Sequence, residues 1–155
     1  MRKGPRLALG PGISIKSVGF GQGHWVIRAD ARGTRSCPSC GVSSASRHSR
    51  HVRRLQDFPI QGTPAIVELR LARWHCRNNT CTNRTFVERL PGLVTPFARR
   101  TSRLSEIVCL FGHAAEGRVS EKLFRRLAMP VSRDAVLRGL KRRDVRKSIN
   151  PHLQV

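Results

Sequence analysis

The sequence predicts an α+β protein, in which a small zinc-ribbon-like antiparallel β module precedes a three-helix helix-turn-helix domain. Two cysteine pairs, Cys37 with Cys40 and Cys76 with Cys81, supply the four thiolates that a tetrahedral zinc site needs. Alternating strand patterns surround these pairs, and helical spacing follows them. The expected divisions are a disordered basic segment at 1–12, the β domain at 13–92, the helical domain at 93–143 and an irregular tail at 144–155.

The charge balance favours a polyanionic partner. The 155-residue chain has 30 Lys plus Arg against 9 Asp plus Glu, which gives a formal net charge of +21. Arginine outnumbers lysine, and its planar guanidinium makes the paired hydrogen bonds that phosphate and guanine accept. We therefore expect double-stranded DNA as the partner. RNA is disfavoured because the chain has no Tyr and few aromatic side chains for base stacking.

Composition also indicates a compartment. No apolar run approaches the roughly 20 residues that a membrane span needs, and the N-terminus lacks an apolar stretch followed by a cleavage site. We expect no membrane partner and a cytoplasmic, nucleoid-associated protein of a bacterium. In that reducing compartment the paired cysteines are expected to bind metal rather than form disulfides, and Cys109 is expected in a helix core.

The β module is expected to begin with a hairpin. Ile13 to Phe20 and His24 to Ala31 both contain period-2 stretches, and a Gly-Gln-Gly turn separates them. The polar stretch Val42 to Arg54 carries no strand pattern. The clearest strand runs from Ile66 to Trp74, where apolar and polar side chains alternate, and it leads into the second cysteine pair. A last strand, Thr85 to Leu90, is expected to pair back antiparallel.

The cysteines are the predicted metal ligands. In a zinc ribbon two knuckles at the ends of β-hairpins converge on one ion, and the small sheet depends on that ion for stability. The predicted ligands of one structural Zn2+ are Cys37, Cys40, Cys76 and Cys81. A histidine could replace a cysteine, because neutral imidazole also binds zinc. We expect the nearby histidines to contact phosphate or solvent instead; they are His48, His51 and His75.

Three helices are predicted after Gly92. The first begins at Thr95, with Pro96 in its first turn, and its buried face carries Leu104, Ile107, Val108 and Phe111. Glycines from Gly112 onward are expected to loosen and end it.

The second and third predicted helices flank a short turn. The second runs from Arg118 to Ala128, and its apolar face carries Leu123, Phe124 and Leu127. Ser132 is expected to cap the third helix, whose inward side chains are Val136, Leu137 and Leu140.

The last helix is the predicted DNA-reading element. In a helix-turn-helix the final helix lies in the major groove, and its N-terminal residues reach the base edges. The side chains expected to contact DNA there are Arg133, Asp134, Arg138, Lys141 and Arg142. Three arginines of the β module are further expected contacts: Arg50, Arg53 and Arg54. The competing interpretation is a small helical bundle with a charged solvent face.

Several motifs follow one another in an order that is found in one known family. They are Cys37-Pro38-Ser39-Cys40-Gly41, His48-Ser49-Arg50, Leu55-Gln56-Asp57-Phe58-Pro59, Arg73 to Cys76 with Cys81, Arg84 to Gly92, and Met129 to Asp134. Together they resemble the N-terminal part of ISL3-type insertion-sequence transposases over residues 13–143. In that family a zinc-binding domain and a helix-turn-helix precede a DDE catalytic domain. The resemblance implies recognition of the terminal inverted repeats of a mobile element, with the four cysteines as zinc ligands.

We expect no enzyme activity from this chain. DDE chemistry needs three carboxylates that hold two divalent metals, and the 9 acidic residues are scattered among basic ones. The chain stops before a catalytic domain could begin, so we expect a truncated, non-catalytic transposase that binds element ends and regulates transposition. Its expected partners are DNA and full-length transposase, with no small-molecule substrate. The alternative is a zinc-ribbon interaction module that docks onto a transposition or transcription complex.

Overall fold

The computed structural model describes residues 9–115 and 117–140. It has the predicted α+β fold, a five-stranded sheet followed by three helices. The strands are β1 (Ile13–Gly21), β2 (His24–Ala31), β3 (Arg47–Ile60), β4 (Thr63–His75) and β5 (Thr85–Val87). The helices are α1 (Ser102–Ala114), α2 (Gly117–Arg126) and α3 (133–140). In this described part, every helix is too short or too polar to cross a membrane.

The sheet joins two hairpins through a parallel pair. β1 pairs antiparallel with β2, β3 pairs antiparallel with β4, and β2 lies parallel to β4, so the strand order is β1-β2-β4-β3. β5 pairs antiparallel with the end of β4, as predicted. The sequence patterns do not predict the parallel pair. Because β2 and β4 run in the same direction, the cysteine pairs that follow them arrive at one end of the sheet, here called the cysteine end.

Both hairpin turns lie at the opposite end, here called the turn end. Gln22-Gly23 and Gln61-Gly62 are two-residue turns in which all four residues have positive φ. This is the type I′ geometry, whose twist matches that of the flanking strands. The first of these turns lies where the sequence predicted a hairpin.

β3 is the main element that the sequence patterns miss. Its segment was expected to be polar and without a strand, but it forms a 14-residue strand along β4. The first part, from Arg47 to Val52, is exposed on both faces, so no apolar alternation marks it. Only Leu55 and Asp57 of β3 are buried. Pairing with β4, rather than its own hydrophobicity, keeps this segment extended.

One apolar cluster lies on the sheet and a second lies among the helices. The first covers one face of the sheet and joins side chains of β2, β3 and β4 to Leu9, Leu90 and Leu93. The second joins the helices, and Phe58 of β3 packs against it; its buried members are Leu104, Val108, Phe124, Met129, Val131 and Val136. The sheet and the helices are therefore in contact through β3.

A buried carboxylate reinforces this contact. Asp57 accepts a 2.8 Å hydrogen bond from the Thr101 hydroxyl and a 2.9 Å hydrogen bond from Nε of Arg103, whose Nη2 also donates to it. Thr101 Oγ1 accepts a hydrogen bond from the Leu104 N–H, so the same hydroxyl caps α1. The Asp57 carboxylate also raises the pKa of Arg103, mainly through the hydrogen bond between them. These bonds fix the start of α1 against β3.

The prediction that the first helix begins at Thr95 is wrong. A 3.2 Å backbone hydrogen bond closes a turn around Pro96 and Phe97, and the φ of Phe97 is 61°, which is incompatible with an α-helix. Residues 99–101 then run extended beside β3, and α1 begins at Ser102. Proline is common both in the first turn of a helix and at the second position of a β-turn, so Pro96 does not distinguish the two structures in the sequence.

The helices bury narrower faces than the sequence predicted. Phe124 and Val136 are buried as expected, but three leucines expected inside are exposed: Leu123 (37%), Leu127 (45%) and Leu137 (39%). Consecutive helical residues differ by about 100° in direction. Because Phe124 and Val136 point inward, Leu123, which precedes Phe124, and Leu137, which follows Val136, lie on the flanks of their helices. Leu127 lies just beyond the end of α2. Cys109 is half-buried in α1.

Gly112 does not loosen α1 as expected. It lies inside the helix, where a Cβ would stand 2.6 Å from Cγ1 of Val136 and 3.3 Å from Cδ2 of Leu140. Glycine is therefore the residue that lets α3 approach α1 at this point.

Candidate metal centre and nucleic-acid interface

The first cysteine pair lies in a tight knuckle between β2 and β3. The Cys37 N–H donates to the Val42 carbonyl at 2.9 Å, and the Gly41 N–H donates to the Cys37 carbonyl at 2.8 Å. Gly41 has a φ of 73°, which a residue with a Cβ adopts only at a cost. Glycine after Cys40 thus allows the chain to reverse while both sulfurs stay on one side.

The second cysteine pair follows β4 directly. The Cys76 N–H donates to the Arg84 carbonyl at 2.9 Å, and the Cys81 N–H donates to the Asn78 carbonyl at 3.2 Å. Asn78 Oδ1 accepts hydrogen bonds from the N–H and the hydroxyl of Thr80, at 3.0 and 2.7 Å. The four-residue spacer therefore forms a stable turn of its own.

The four sulfur atoms meet with the spacing of a metal site. All four Sγ atoms lie within 4.8 Å of one another. The Cys37–Cys81 distance is 3.8 Å and the Cys40–Cys76 distance is 3.5 Å. A Zn–S bond of about 2.3 Å places tetrahedral sulfurs about 3.8 Å apart. The donor set therefore fits one structural Zn2+, and its closed shell leaves no position for a substrate water.

The sulfurs differ in how readily they ionise. Backbone N–H groups of Cys40 and Ser39 lower the pKa of the Cys37 thiol to about 7. At Cys76 the Asn78 N–H favours the thiolate, but burial and hydrogen bonds among the sulfurs outweigh it and raise the pKa to about 12. Four thiolates this close repel one another, so a bound cation is needed to ionise them together. Zinc competes with protons here, and its affinity falls as the pH falls.

Buried groups on β4 and β5 support the sulfur cluster. Trp74 and Phe86 pack against the cysteines. Behind them the buried Glu88 accepts hydrogen bonds from the Ala72 N–H at 2.7 Å and the Gly33 N–H at 3.3 Å. The Glu88 carboxylate therefore links Gly33, which precedes the first cysteine pair, to β4, which precedes the second cysteine pair.

The histidines lie outside the sulfur cluster. His48 and His75 contact each other edge to face, with ring centroids 4.8 Å apart, and His51 is exposed on β3. The candidate metal group contains the four cysteines alone.

α3 presents the predicted DNA contacts to solvent. Arg133, Asp134 and Arg138 are exposed, and they form no ion pair with any residue that the structure describes. Ser132 Oγ accepts a 3.4 Å hydrogen bond from the Ala135 N–H, consistent with its predicted role as the cap. The remaining two predicted contacts, Lys141 and Arg142, lie outside the described residues.

The three predicted contacts on β3 differ in their surroundings. Arg50 is exposed. Nη2 of Arg53 donates to the Thr95 carbonyl at 3.3 Å and also to the Ala98 carbonyl, so this guanidinium is engaged within the protein. Arg54 lies 3.5 Å from the Glu68 carboxylate.

Sequence reasoning missed two further arginines near Arg50 along the β3–β4 pair. Arg47 on β3 and Arg73 on β4 are exposed, and across the described ranges neither they nor Arg50 forms an ion pair. Arg73 pairs with Ser49 and Arg50 pairs with Ala72, so Arg50 and Arg73 point to opposite faces of the sheet. We call Arg47, Arg50 and Arg73, the exposed arginines near the cysteine end, the β3–β4 arginine cluster. Mid-sheet arginines differ, because they form ion pairs with Asp30 or Glu68: Arg28, Arg54 and Arg70. Because β3 was not predicted, its pairing with β4, which brings the arginines of the cluster to the same end of the sheet, was not predicted either.

The comparison with known families agrees with the metal site. Residues 33–81, about a third of the chain, match the model of the zinc finger of the transposases IS204, IS1001, IS1096 and IS1165. The matched segment contains both cysteine pairs, and a zinc finger of this kind is not a catalytic module. No curated protein and no solved structure shows significant similarity to the chain. Within residues 9–115 and 117–140, the cysteines form the one group of three or more potential metal ligands.

Proposed function

We propose that this chain binds duplex DNA as the end-recognition region of an insertion-sequence transposase. The observation that carries the proposal is the transposase zinc-finger match over residues 33–81, which contains four cysteines in metal-binding geometry. A formal charge of +21 supplies the attraction to DNA. The DNA sequence bound is proposed to be the terminal inverted repeat of the element.

Base recognition is assigned to α3. The proposal treats α2 and α3 as a helix-turn-helix, in which the N-terminal part of the last helix enters the major groove. Arg133 and Arg138 can donate two hydrogen bonds to guanine, and Asp134 can accept one from cytosine. Their exposure without ion-pair partners in the described chain supports this role.

Phosphate binding is assigned to the β3–β4 arginine cluster. Its three guanidinium groups are exposed beside the cysteine end, so a bound zinc would hold the strands that carry them. Phosphate contacts position a protein on DNA without reading sequence. We therefore give the zinc a structural role and the arginines a positioning role.

A binding titration tests this proposal. Zinc-loaded protein is titrated against the terminal inverted repeat and a scrambled duplex. Arg138→Ala is expected to cost about 1–3 kcal/mol on the repeat and much less on the scrambled duplex. Arg125→Ala is the matched control, because Arg125 lies on α2 and pairs with Glu121 at 3.3 Å. Equal affinity of the unaltered protein for both duplexes would rule out end recognition.

Regulation of transposition is a further part of the proposal. A chain that occupies element ends competes with a transposase for the same sites. Co-expression with the intact enzyme is expected to lower the transposition frequency, and an unchanged frequency would reject this role.

A second candidate is a protein-interaction module. One observation favours it: α2 and the turn after it expose Val119 (50%), Leu123 (37%) and Leu127 (45%) at four-residue spacing. Lys122 and Arg126 flank this apolar stripe, so an acidic amphipathic helix would fit it. Salt dependence separates the candidates. DNA binding through six to ten phosphates weakens by about three to five decades between about 50 and 200 mM salt, whereas apolar docking changes little.

A further inference from the structure

A turn between the sheet and the helices holds an aromatic ring in solvent. Phe97 is 96% exposed and has a φ of 61°. The Ala98 N–H donates to the Thr95 carbonyl at 3.2 Å, and Pro96 occupies the second position. This is the pattern of a type II turn, in which glycine is the usual residue at the position of Phe97. A bulky residue with positive φ is strained, and here the strain brings no burial.

The turn is held in place from β3. Arg53 Nη2 donates to the carbonyls of Thr95 and Ala98, which flank Phe97 on either side. A half-buried arginine therefore fixes the turn that exposes the ring. This use of Arg53 makes it a positioning residue rather than a direct phosphate contact.

The surroundings of the ring carry positive charge. No Asp or Glu occurs between Arg89 and Ser105, and Arg99 beside the turn is exposed. The nearest carboxylate on β3, Asp57, is buried and bound by Arg103. An exposed ring with cationic neighbours suits the DNA duplex, because phosphates meet the cations and a base step that is opened offers apolar base faces to the ring.

The turn is linked through β3 to the segment that precedes α3. Arg100, just after the turn, donates from Nε to Gln56 Oε1 at 3.1 Å. Gln56 Nε2 in turn donates to the carbonyl of Pro130, just before α3, at 3.2 Å. The turn and the start of α3 are therefore joined through one side chain of β3, so one duplex can meet both.

We propose that Phe97 is a DNA wedge, which inserts between two base pairs from the minor groove next to the major-groove segment that α3 contacts. The inference rests on the proposed DNA binding and adds a kinked DNA conformation to it. Apolar side chains placed in this way unstack a base step and bend the duplex toward the major groove. The Arg53 hydrogen bonds fix the turn that presents the ring before DNA binds.

The test measures affinity and DNA bending together. A duplex of the terminal inverted repeat carries a fluorophore at each end, and energy transfer reports the end-to-end distance. Phe97→Ala in the zinc-loaded chain is expected to weaken binding about five- to 150-fold, the range for loss of one stacking contact, and to abolish the bend. Phe97→Leu is expected to keep most of the bend, because leucine can also act as a wedge.

Two variants exclude a merely structural effect. Phe20→Ala is the matched control, since Phe20 is 61% exposed on β1 at the far edge of the sheet, and it is expected to change neither readout. Phe97→Gly is expected to raise the melting temperature, because glycine accepts a positive φ. It is also expected to weaken DNA binding as Phe97→Ala does. A structural role for the ring would instead lower stability and affinity together.

The outcomes separate the two proposals. If the unaltered chain binds no duplex, the proposed function fails, and the wedge fails with it. If the unaltered chain binds DNA but Phe97→Ala binds and bends it equally well, the wedge alone is refuted. If Phe97→Ala leaves DNA binding intact and changes self-association in sedimentation, the ring contacts protein and the wedge is again refuted.

Discussion

Cys76 shows how one side chain depends on a bound cation. The Asn78 N–H favours the thiolate, but burial and the neighbouring sulfurs raise the pKa of Cys76 to about 12, so without metal the thiol remains protonated at neutral pH. We predict that Cys76→Ser abolishes binding of the single zinc and lowers the melting temperature, because three thiolates leave the tetrahedron open. Native mass spectrometry and thermal unfolding measure both effects.

Cys109→Ser is the matched control for this prediction. Cys109 lies in α1, outside the sulfur cluster. This variant is expected to retain one zinc per chain. Full zinc binding by Cys76→Ser would mean that another residue completes the site.

Ala128 allows a second prediction at the residue scale. α2 ends at Arg126, and the Met129 N–H bonds to the Phe124 carbonyl at 2.8 Å while Ala128 takes a φ of 54°. This is the Schellman arrangement, in which glycine is the preferred residue. We predict that Ala128→Gly stabilises the chain by about 0.5–1 kcal/mol, because relief of the left-handed strain exceeds the added chain entropy.

A substitution of the same kind with the opposite expected sign provides the control. Ala114 lies in the last turn of α1, so Ala114→Gly is expected to destabilise by about 0.5–1 kcal/mol. Chemical denaturation measures both variants. Destabilisation by Ala128→Gly would show that this turn is not strained.

At the residue scale, the sequence is most informative where spacing alone determines the chemistry. Two short cysteine pairs predict the ligands without any knowledge of the sheet, because that spacing is typical of zinc knuckles. Arg47 and Arg73 could not be predicted in this way. Their importance depends on strand register and on which carboxylates lie within reach, and neither is visible in sequence.

At the element scale, Asp57 determines how α1 meets the sheet. We predict that Asp57→Asn destabilises the chain by about 2 kcal/mol, since the amide cannot accept both hydrogen bonds from Arg103. Solvent screens part of this interaction, because the Arg103 side chain is 43% exposed. Glu121→Gln is the control, and loss of its surface pair is expected to cost less than about 0.5 kcal/mol.

Stability and DNA preference are measured on both variants. Asp57→Asn is expected to weaken recognition of the inverted repeat at temperatures where the chain is still folded, because α1 and the helices packed on it lose their fixed position. Unchanged stability would contradict the role given to the buried pair.

Element boundaries were predicted well where local signals agree with tertiary packing. The first hairpin and β4 follow from alternation and turn residues. β3 could not be predicted, because its exposed half has no apolar period and its strand form comes from β4. The start of α1 was predicted too early. Thr101 caps the helix and bonds to Asp57 on β3, and a contact between residues so distant in sequence is not visible in local patterns.

At the scale of the whole molecule, the sheet and the helices present the three features that we propose to contact DNA. These are the β3–β4 arginine cluster, the exposed side chains of α3 and the ring of Phe97. They are linked because β3 carries part of the arginine cluster, fixes the Phe97 turn through Arg53 and anchors α1 through Asp57. β3 runs from the cysteine end to these contacts, so we propose that a zinc bound at that end supports all three features.

We propose that the zinc-held sheet and the helices bind DNA as one unit. The most direct test measures the dissociation constants of the full chain for the inverted repeat and a scrambled duplex, before and after zinc removal, at one salt concentration. We predict that zinc removal reduces the preference for the repeat at least about tenfold, which corresponds to about 1.4 kcal/mol. A zinc-free chain that keeps both its affinity and its preference would contradict the account.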